Sequence, residues 1–308
     1  MKVGIVGAGN VGATIAYTLS MGGEVSDLVL VDKNVGKAQG EIMDLRHGLP
    51  FIPYVNLEYG GVEALSGMDV IVITAGVGRK PGESRLELAG RNVEIFGSLI
   101  PSIRDVNRSA VYLIVSNPVD VLTYATIKYS GCPARKVIGS GNILDSARFR
   151  SMLGEFFRVD PANVHAYILG EHGDSSFPVW SNAFIGCTPL RNVDSYNEAE
   201  LQKIFEQVKS VAADVIRLKG ATYYAVSLAV AKIIQAIDLN QNRVLPLSTL
   251  LTGFHGISDV CLSVPAVVNR EGVDRVLSIP LDGREMELFR DSAGKISQVI
   301  DELGLRRI

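Results

Sequence analysis

The sequence predicts a doubly wound, parallel α/β sheet followed by a second, α+β domain. Three observations predict it. A short β-rich run, a glycine-rich turn and a helical run open the chain. Runs rich in Val and Ile then alternate with helical runs as far as about residue 140. There the alternation stops, and longer amphipathic helices and β-rich runs follow. Alternating β and α means helices on both faces of a parallel sheet, with ligands at the carboxyl ends of its strands. The expected division is a dinucleotide-binding domain over 1–141 and a substrate domain over 142–308.

The first strand is expected over Lys2–Val6. Gly7-Ala8-Gly9-Asn10-Val11-Gly12 follows, and Ala13–Leu19 reads as a helix. In such a G-x-G-x-x-G turn the first glycine permits the tight bend. The second lets a pyrophosphate approach the backbone, and the third lets helix pack on strand. A helix N-terminus then meets the anion with free N–H groups and a partial positive charge. Leu28–Val31 reads as the second strand and ends at Asp32, 20 residues past Gly12. A carboxylate there accepts hydrogen bonds from an adenosine ribose and repels a 2′-phosphate, so NAD is favoured over NADP. The expected cofactor-binding residues are Gly7, Gly9, Asn10, Val11, Gly12, Asp32 and Asn117, on a Rossmann fold.

Asp69–Thr74 and Ala110–Ser116 read as buried parallel strands, being continuous in Val and Ile. Helices are expected over Lys37–Arg46, Arg85–Ile103 and Val119–Ser130, and Lys136–Ile138 as the last strand. Ile143–Phe157 has apolar residues at helical spacing. Phe177–Trp180 and Asn182–Gly186 read as strand segments. Asn197 opens a helix with an apolar stripe that ends at Lys219-Gly220. The next, from about Ala221 to Ile237, is apolar nearly all round and is expected to be buried, with Thr222 in its first turn. Arg243–Ser248, Val260–Pro265 and Val276–Leu281 read as antiparallel strands, and Asp282–Leu303 as a closing amphipathic helix.

The net charge is −3 with no basic run, which argues against nucleic acid and anionic membrane as partners. No apolar segment is long enough to span a bilayer. Cys132, Cys187 and Cys261 are far apart and form no C-x-x-C. That argues against a disulfide framework or a metal site and for a reducing, cytoplasmic setting.

The candidate chemistry centres on Gly170-Glu171-His172-Gly173-Asp174, which follows the apolar run Ala166–Leu169. Histidine is the side chain whose ordinary pKa, about 6.5, suits proton exchange near neutrality. Of the four histidines, His172 alone stands between glycines and carboxylates at a strand end. Asp145 and Arg148 are three apart on a helix and share a face. Asn117 follows a strand and precedes Pro118. The loop Ala75–Arg85 carries three glycines, a proline, Arg79 and Arg85, and is expected to close over a bound anion.

Taken together, these motifs resemble the L-lactate/malate dehydrogenase family over essentially the whole chain. The resemblance rests on the glycine fingerprint with Asp32, Pro81–Arg85, Ser116-Asn117-Pro118-Val119-Asp120, Leu144-Asp145-Ser146-Ala147-Arg148, Glu171-His172-Gly173-Asp174 and Lys219-Gly220-Ala221-Thr222. It implies an NAD-dependent oxidoreductase acting on a small (S)-2-hydroxy/2-oxo acid. His172 would be the acid–base, Asp145 its partner, Arg148 the carboxylate clamp, and Arg85 the group that polarises the carbonyl. Asn117 and Thr222 would help to orient substrate, and the Asn117–Pro118 bond would be cis.

Within the family, arginine at the position of Arg79 goes with malate and glutamine with lactate. Closing Arg79 over pyruvate would bury an unpaired guanidinium, whereas oxaloacetate offers it a carboxylate. Malate/oxaloacetate is therefore the expected pair, and L-lactate/pyruvate, favoured by Thr222 and by the wording of the loop, the alternative. Arg150 and His165 match positions that bind fructose 1,6-bisphosphate in allosteric bacterial members, and the resemblance implies a homotetramer or homodimer. Two other classes would need different residues. An NAD-dependent glycoside hydrolase would need a metal site with Cys and His. A non-enzymatic NAD sensor would not need His172 or Arg148.

Overall fold

A computed structural model describes residues 1–78, 80 and 82–308. Six parallel strands form its centre: β1 (Lys2–Val6), β2 (Asp27–Val31), β3 (Asn56–Gly60), β4 (Val70–Ile73), β5 (Val111–Ile114) and β6 (Val137–Gly139). They lie in the order β3-β2-β1-β4-β5-β6, so the winding reverses between β1 and β4. In such a sheet the crevice for a dinucleotide lies at that reversal, outside the carboxyl ends of the strands. The glycine turn follows β1 there, and the loop that carries Arg79 follows β4.

The sheet does not stop at β6. Strands Arg243–Phe254, Ile257–Asn269 and Gly272–Val276 continue it as an antiparallel edge, with Ser248 facing Gly139 across the join. The expected strand Val276–Leu281 is displaced: the strand is Gly272–Val276, paired to the one before it. β3 escaped the sequence reading because Asn56-Leu57-Glu58-Tyr59-Gly60 has a single fully buried side chain, Leu57. An edge strand needs little apolar content when only one neighbour pairs with it.

Helices α1 (Asn10–Gly22), α2 (Val35–His47), α3 (Arg85–Val106) and α4 (Val119–Ser130) connect the parallel strands. Val3, Ile5, Leu28, Leu30, Val70 and Val72 pack against one face of the sheet, and Ile71, Ile73, Tyr112 and Ile114 against the other. The strands are buried on both faces, which is why they read as continuous apolar runs. α5 (Ile143–Phe157) and α6 (Glu198–Lys219) enclose a third, smaller core around Phe149, Leu153 and Phe205.

α7 (Tyr224–Asp238) and α8 (Gly283–Glu302) complete the chain. α7 departs from expectation twice. It starts at Tyr224, so Thr222 lies in the loop before it rather than in its first turn. It is not buried all round: Val230, Ile233 and Ile234 face inward, while Tyr224 is 66% and Leu228 64% exposed. Apolar content reports how much of a helix could be covered, and here only one face is.

Candidate active site

The cofactor end is built mainly from backbone. Gly7 has φ +111°, a region that side-chained residues rarely enter. A Cβ on Gly12 would lie 1.8 Å from the Gly7 carbonyl oxygen, so glycine alone fits there. A Cβ on Gly9 would meet nothing within 4 Å, which leaves open approach to the N-terminus of α1. Gly9 is also the N-cap of α1 and supplies no side-chain acceptor to its first N–H groups. Those donors suit an anion. Asp32, at the end of β2, accepts from the Ala8 N–H at 2.7 Å and from the Asn34 N–H at 2.8 Å. These bonds fix its carboxylate beside the glycine turn, where a ribose would reach it. The residues present therefore fit a bound dinucleotide.

A second cluster, the candidate substrate end, is assembled from side chains on distant elements. α5 begins at Ile143, and its first turn carries Asp145. One Asp145 oxygen lies 2.6 Å from His172 Nδ1, and the other accepts from Arg148 Nη1 at 3.1 Å. Burial would push the Asp145 carboxyl up, but His172 and Arg148 more than offset it and hold it below its usual value. Burial would lower the His172 ring, yet Asp145, and after it Asp120, raise it above its ordinary value. An ionised carboxylate only accepts, so Nδ1 carries the hydrogen and Nε2 remains for a ligand. Asn142 Oδ1 lies 3.3 Å from the same Nδ1.

The turn that carries His172 is pinned on several sides. The Gly170 and Ser263 backbones exchange hydrogen bonds of 3.1 and 2.9 Å. Ser292 Oγ accepts from the Glu171 N–H at 2.7 Å, and Asp120 Oδ2 from the His172 N–H at 2.7 Å. Arg85, the first residue of α3 behind the Ser84–Glu87 capping box, reaches the same turn. Its Nη2 meets Asp174 at 2.6 Å and its Nη1 meets Glu171 at 3.6 Å.

Asn117 is exposed after β5, and its bond to Pro118 is cis, as the resemblance implied. Arg79 and Pro81 lie outside the described residues, so the expected role of Arg79 has no geometry here. The flanks of its loop are held by α3. Asn92 accepts from the Val77 N–H at 2.8 Å, and Arg91 binds Glu83 at 2.7 Å. His165 is exposed on a two-residue strand. Arg150 donates to the Pro161 carbonyl at 3.2 Å, and its Nε is buried with no partner among the described residues.

Sequence reasoning missed three residues. Asn92 spans Val77 and the Asn117 carbonyl, to which it donates at 2.8 Å. Asn142 and Asp120 hold His172. The available signal was polarity in apolar company: Asp120 stands in the first turn of a largely apolar helix, and Asn92 interrupts the buried stripe of α3.

A model of the lactate/malate dehydrogenase NAD-binding domain matches residues 1–139, and one of the family's alpha/beta C-terminal domain matches residues 143–304. The chain belongs to the lactate/malate dehydrogenase family. It is similar to the L-lactate dehydrogenase of Acetivibrio thermocellus, 48% identical over 99% of this chain and 98% of that one. The L-lactate dehydrogenase of Thermoanaerobacter pseudethanolicus is 47% identical, covering 99% of both. Among solved structures, lactate dehydrogenase MGS-M5 from a Medee basin deep-sea metagenome library superposes with a TM-score of 0.95 at 39% identity, over 99% of this chain and 100% of that one. The minor L-lactate dehydrogenase of Enterococcus mundtii gives 0.95 at 37%, over 98% of each. The chain is thus an NAD-dependent 2-hydroxyacid dehydrogenase. Among the described residues no helix is long and apolar enough to cross a membrane, and no His/Cys/Asp/Glu group is arranged to hold a metal.

Proposed function

We propose that His172 carries the proton in the interconversion of a short (S)-2-hydroxy acid and its 2-oxo acid. The observation that carries this reading is the chain Arg148–Asp145–His172, in which one carboxylate serves both a guanidinium and the imidazole. NAD, when bound, supplies or accepts the hydride. His172 Nε2 donates a proton to the carbonyl oxygen during reduction and removes it from the hydroxyl during oxidation. Asp145 fixes the tautomer and stabilises the charged ring. Arg148 retains further donors for the substrate carboxylate. Arg85 exchanges Asp174 for the substrate and polarises its carbonyl. Asn117 and Thr222 line the substrate. Residues 1–141 hold the cofactor through Gly7, Gly9, Asn10, Val11, Gly12 and Asp32, and 142–308 supply most of the rest. Loss of turnover in His172→Asn with NADH binding retained is the expected result, and substantial residual turnover would refute the role.

For the acid itself, the relatives support pyruvate and L-lactate. Full-length similarity joins the chain to enzymes that bear the lactate name, and Thr222, lactate-like by the family resemblance, agrees with it. This moves the reading away from the oxaloacetate to which the charge of Arg79 points. The charge of Arg79 favours a second reading, oxaloacetate and malate. The ratio of kcat/KM for pyruvate to that for oxaloacetate separates the two: above one supports lactate, below one malate.

A homodimer or homotetramer, working in the cytoplasm, completes the proposal. α1 and α7 pack together and leave Tyr17 and Met21 of the one and Tyr224 and Leu228 of the other exposed. Such an apolar surface suits burial by another subunit. Fructose 1,6-bisphosphate at Arg150 and His165 is tested in the same assay by adding it; unchanged kinetics and assembly would remove it.

A further inference from the structure

Asp120 is a buried acid without a basic partner. It lies in the first turn of α4 and is 1% exposed. Both oxygens are occupied, but by neutral donors. Ser248 Oγ donates to Oδ1 at 2.6 Å, and the main-chain N–H of His172 donates to Oδ2 at 2.7 Å. No Lys or Arg pairs with it among the described residues. A buried carboxylate is costly unless something gains from its charge. A group that gains is the imidazole whose own backbone it holds, since the charge of Asp120 favours its protonated form.

We infer that Asp120 is a positioning residue for proton transfer at His172: it fixes the main chain of that histidine, and its charge favours the protonated ring over the neutral one. The inference rests on His172 being the proton carrier. It adds a second carboxylate to the one on the ring nitrogen and gives the two separate tasks. Asp145 sets tautomer and orientation. Asp120 holds the His172 backbone and adds a second negative charge that acts on the ring.

Each group that faces this pair has a place in the balance. From α5 come Asp145, which favours the charged ring, and Arg148, which opposes it. Asn142 adds a neutral acceptor. Glu171, in the same turn, is neutralised in part by Arg85. Ser248 bonds Asp120, and Cys261 feels its charge, being held as a thiol well above its usual range chiefly by burial. Burial pushes Asp120 itself up to about 6, against the Ser248 and His172 hydrogen bonds. Above that pH it is ionised and its charge is in force.

Asparagine distinguishes a charge from a strut. In Asp120→Asn the side chain can still accept from the His172 N–H and can donate to Ser248, since a hydroxyl both gives and receives. Only the charge goes. In reduction, kcat/KM for the 2-oxo acid falls on the alkaline side as His172 loses its proton. Asp120→Asn moves that fall to lower pH by roughly one unit, the scale of a nearby charge in a poorly solvated site. Enough turnover survives at lower pH for the limb to be measured. Asp120→Leu, which removes both hydrogen bonds, loses turnover at every pH.

An alkaline limb that stays in place in Asp120→Asn overturns the inference. If that variant does not fold, Asp120→Ser is the alternative probe. It also removes the charge, and its hydroxyl can accept from the His172 N–H. The same limb then moves the same way, and an unmoved limb again overturns the inference. Failure of the underlying reading is distinguishable. If His172→Asn keeps its turnover, the proton carrier itself is wrong. If His172→Asn is inactive and the Asp120→Asn limb does not shift, the carrier stands and Asp120 is only a strut.

Discussion

The two ends of the crevice are specified by different parts of the chain's chemistry. The cofactor end is made of backbone: a glycine turn, a helix N-terminus, and one carboxylate tied down by two N–H groups. Its key residues lie within the first 32 positions. The proposed substrate end is made of side chains. Asp120, Asn142, Asp145, Arg148 and His172 come from α4, α5 and a turn, and Ser248 and Ser263 reach in from the edge of the sheet. A site built from backbone is intolerant of added atoms. A site built from side chains is intolerant of altered charge.

The sharpest break of that contrast is at His172. His172→Asn preserves size but not proton exchange, and kcat should fall on the order of a thousandfold while NADH fluorescence titrations remain as in the parent. If NADH affinity falls in step, the two ends are not separable. Next comes charge in the loop after β4. Arg79→Gln should shift the oxaloacetate-to-pyruvate ratio of kcat/KM toward pyruvate by roughly a hundredfold, about the worth of one charge-assisted contact. An unchanged ratio would remove the second reading of the substrate.

The cofactor end was the more legible of the two, for a local reason. Strand, glycines, helix and acid follow one another, so spacing in the chain becomes spacing in the fold. β1, α4 and α5 have the predicted bounds because a glycine turn closes β1, Pro118 precedes α4 and the turn at Gly141-Asn142 precedes α5. The substrate end was legible only where a motif was long enough to be recognised. Asp120 stood inside one of those motifs without a role, since nothing in its neighbourhood along the chain points to Ser248 or His172. The exposure of Tyr224 and Leu228 was unreadable as well: an apolar stripe has the same composition whether or not anything covers it.

At the backbone end the contrast predicts the opposite pattern. Gly12→Ala adds one methyl where a carbonyl already stands, and overpacking of this kind costs about 1–3 kcal/mol. Thermal unfolding should show the loss and NADH titration a weaker complex, with kcat at saturating NADH much less affected. A variant as stable as the parent would mean that the turn can move aside. The smallest expected effect is at Asp32. Asp32→Ala should reduce the preference for NAD over NADP by roughly tenfold, or about 1.4 kcal/mol. Full retention of the preference would show that the ribose is read elsewhere.

The join of Ser248 to Gly139 has a thermodynamic consequence. It makes one hydrogen-bonded ladder out of strands from both halves of the chain, so neither half can lose its sheet edge without exposing the other's. Heating should therefore melt the protein in a single cooperative step, and NADH, though it touches mainly the first half, should raise the melting temperature of both together.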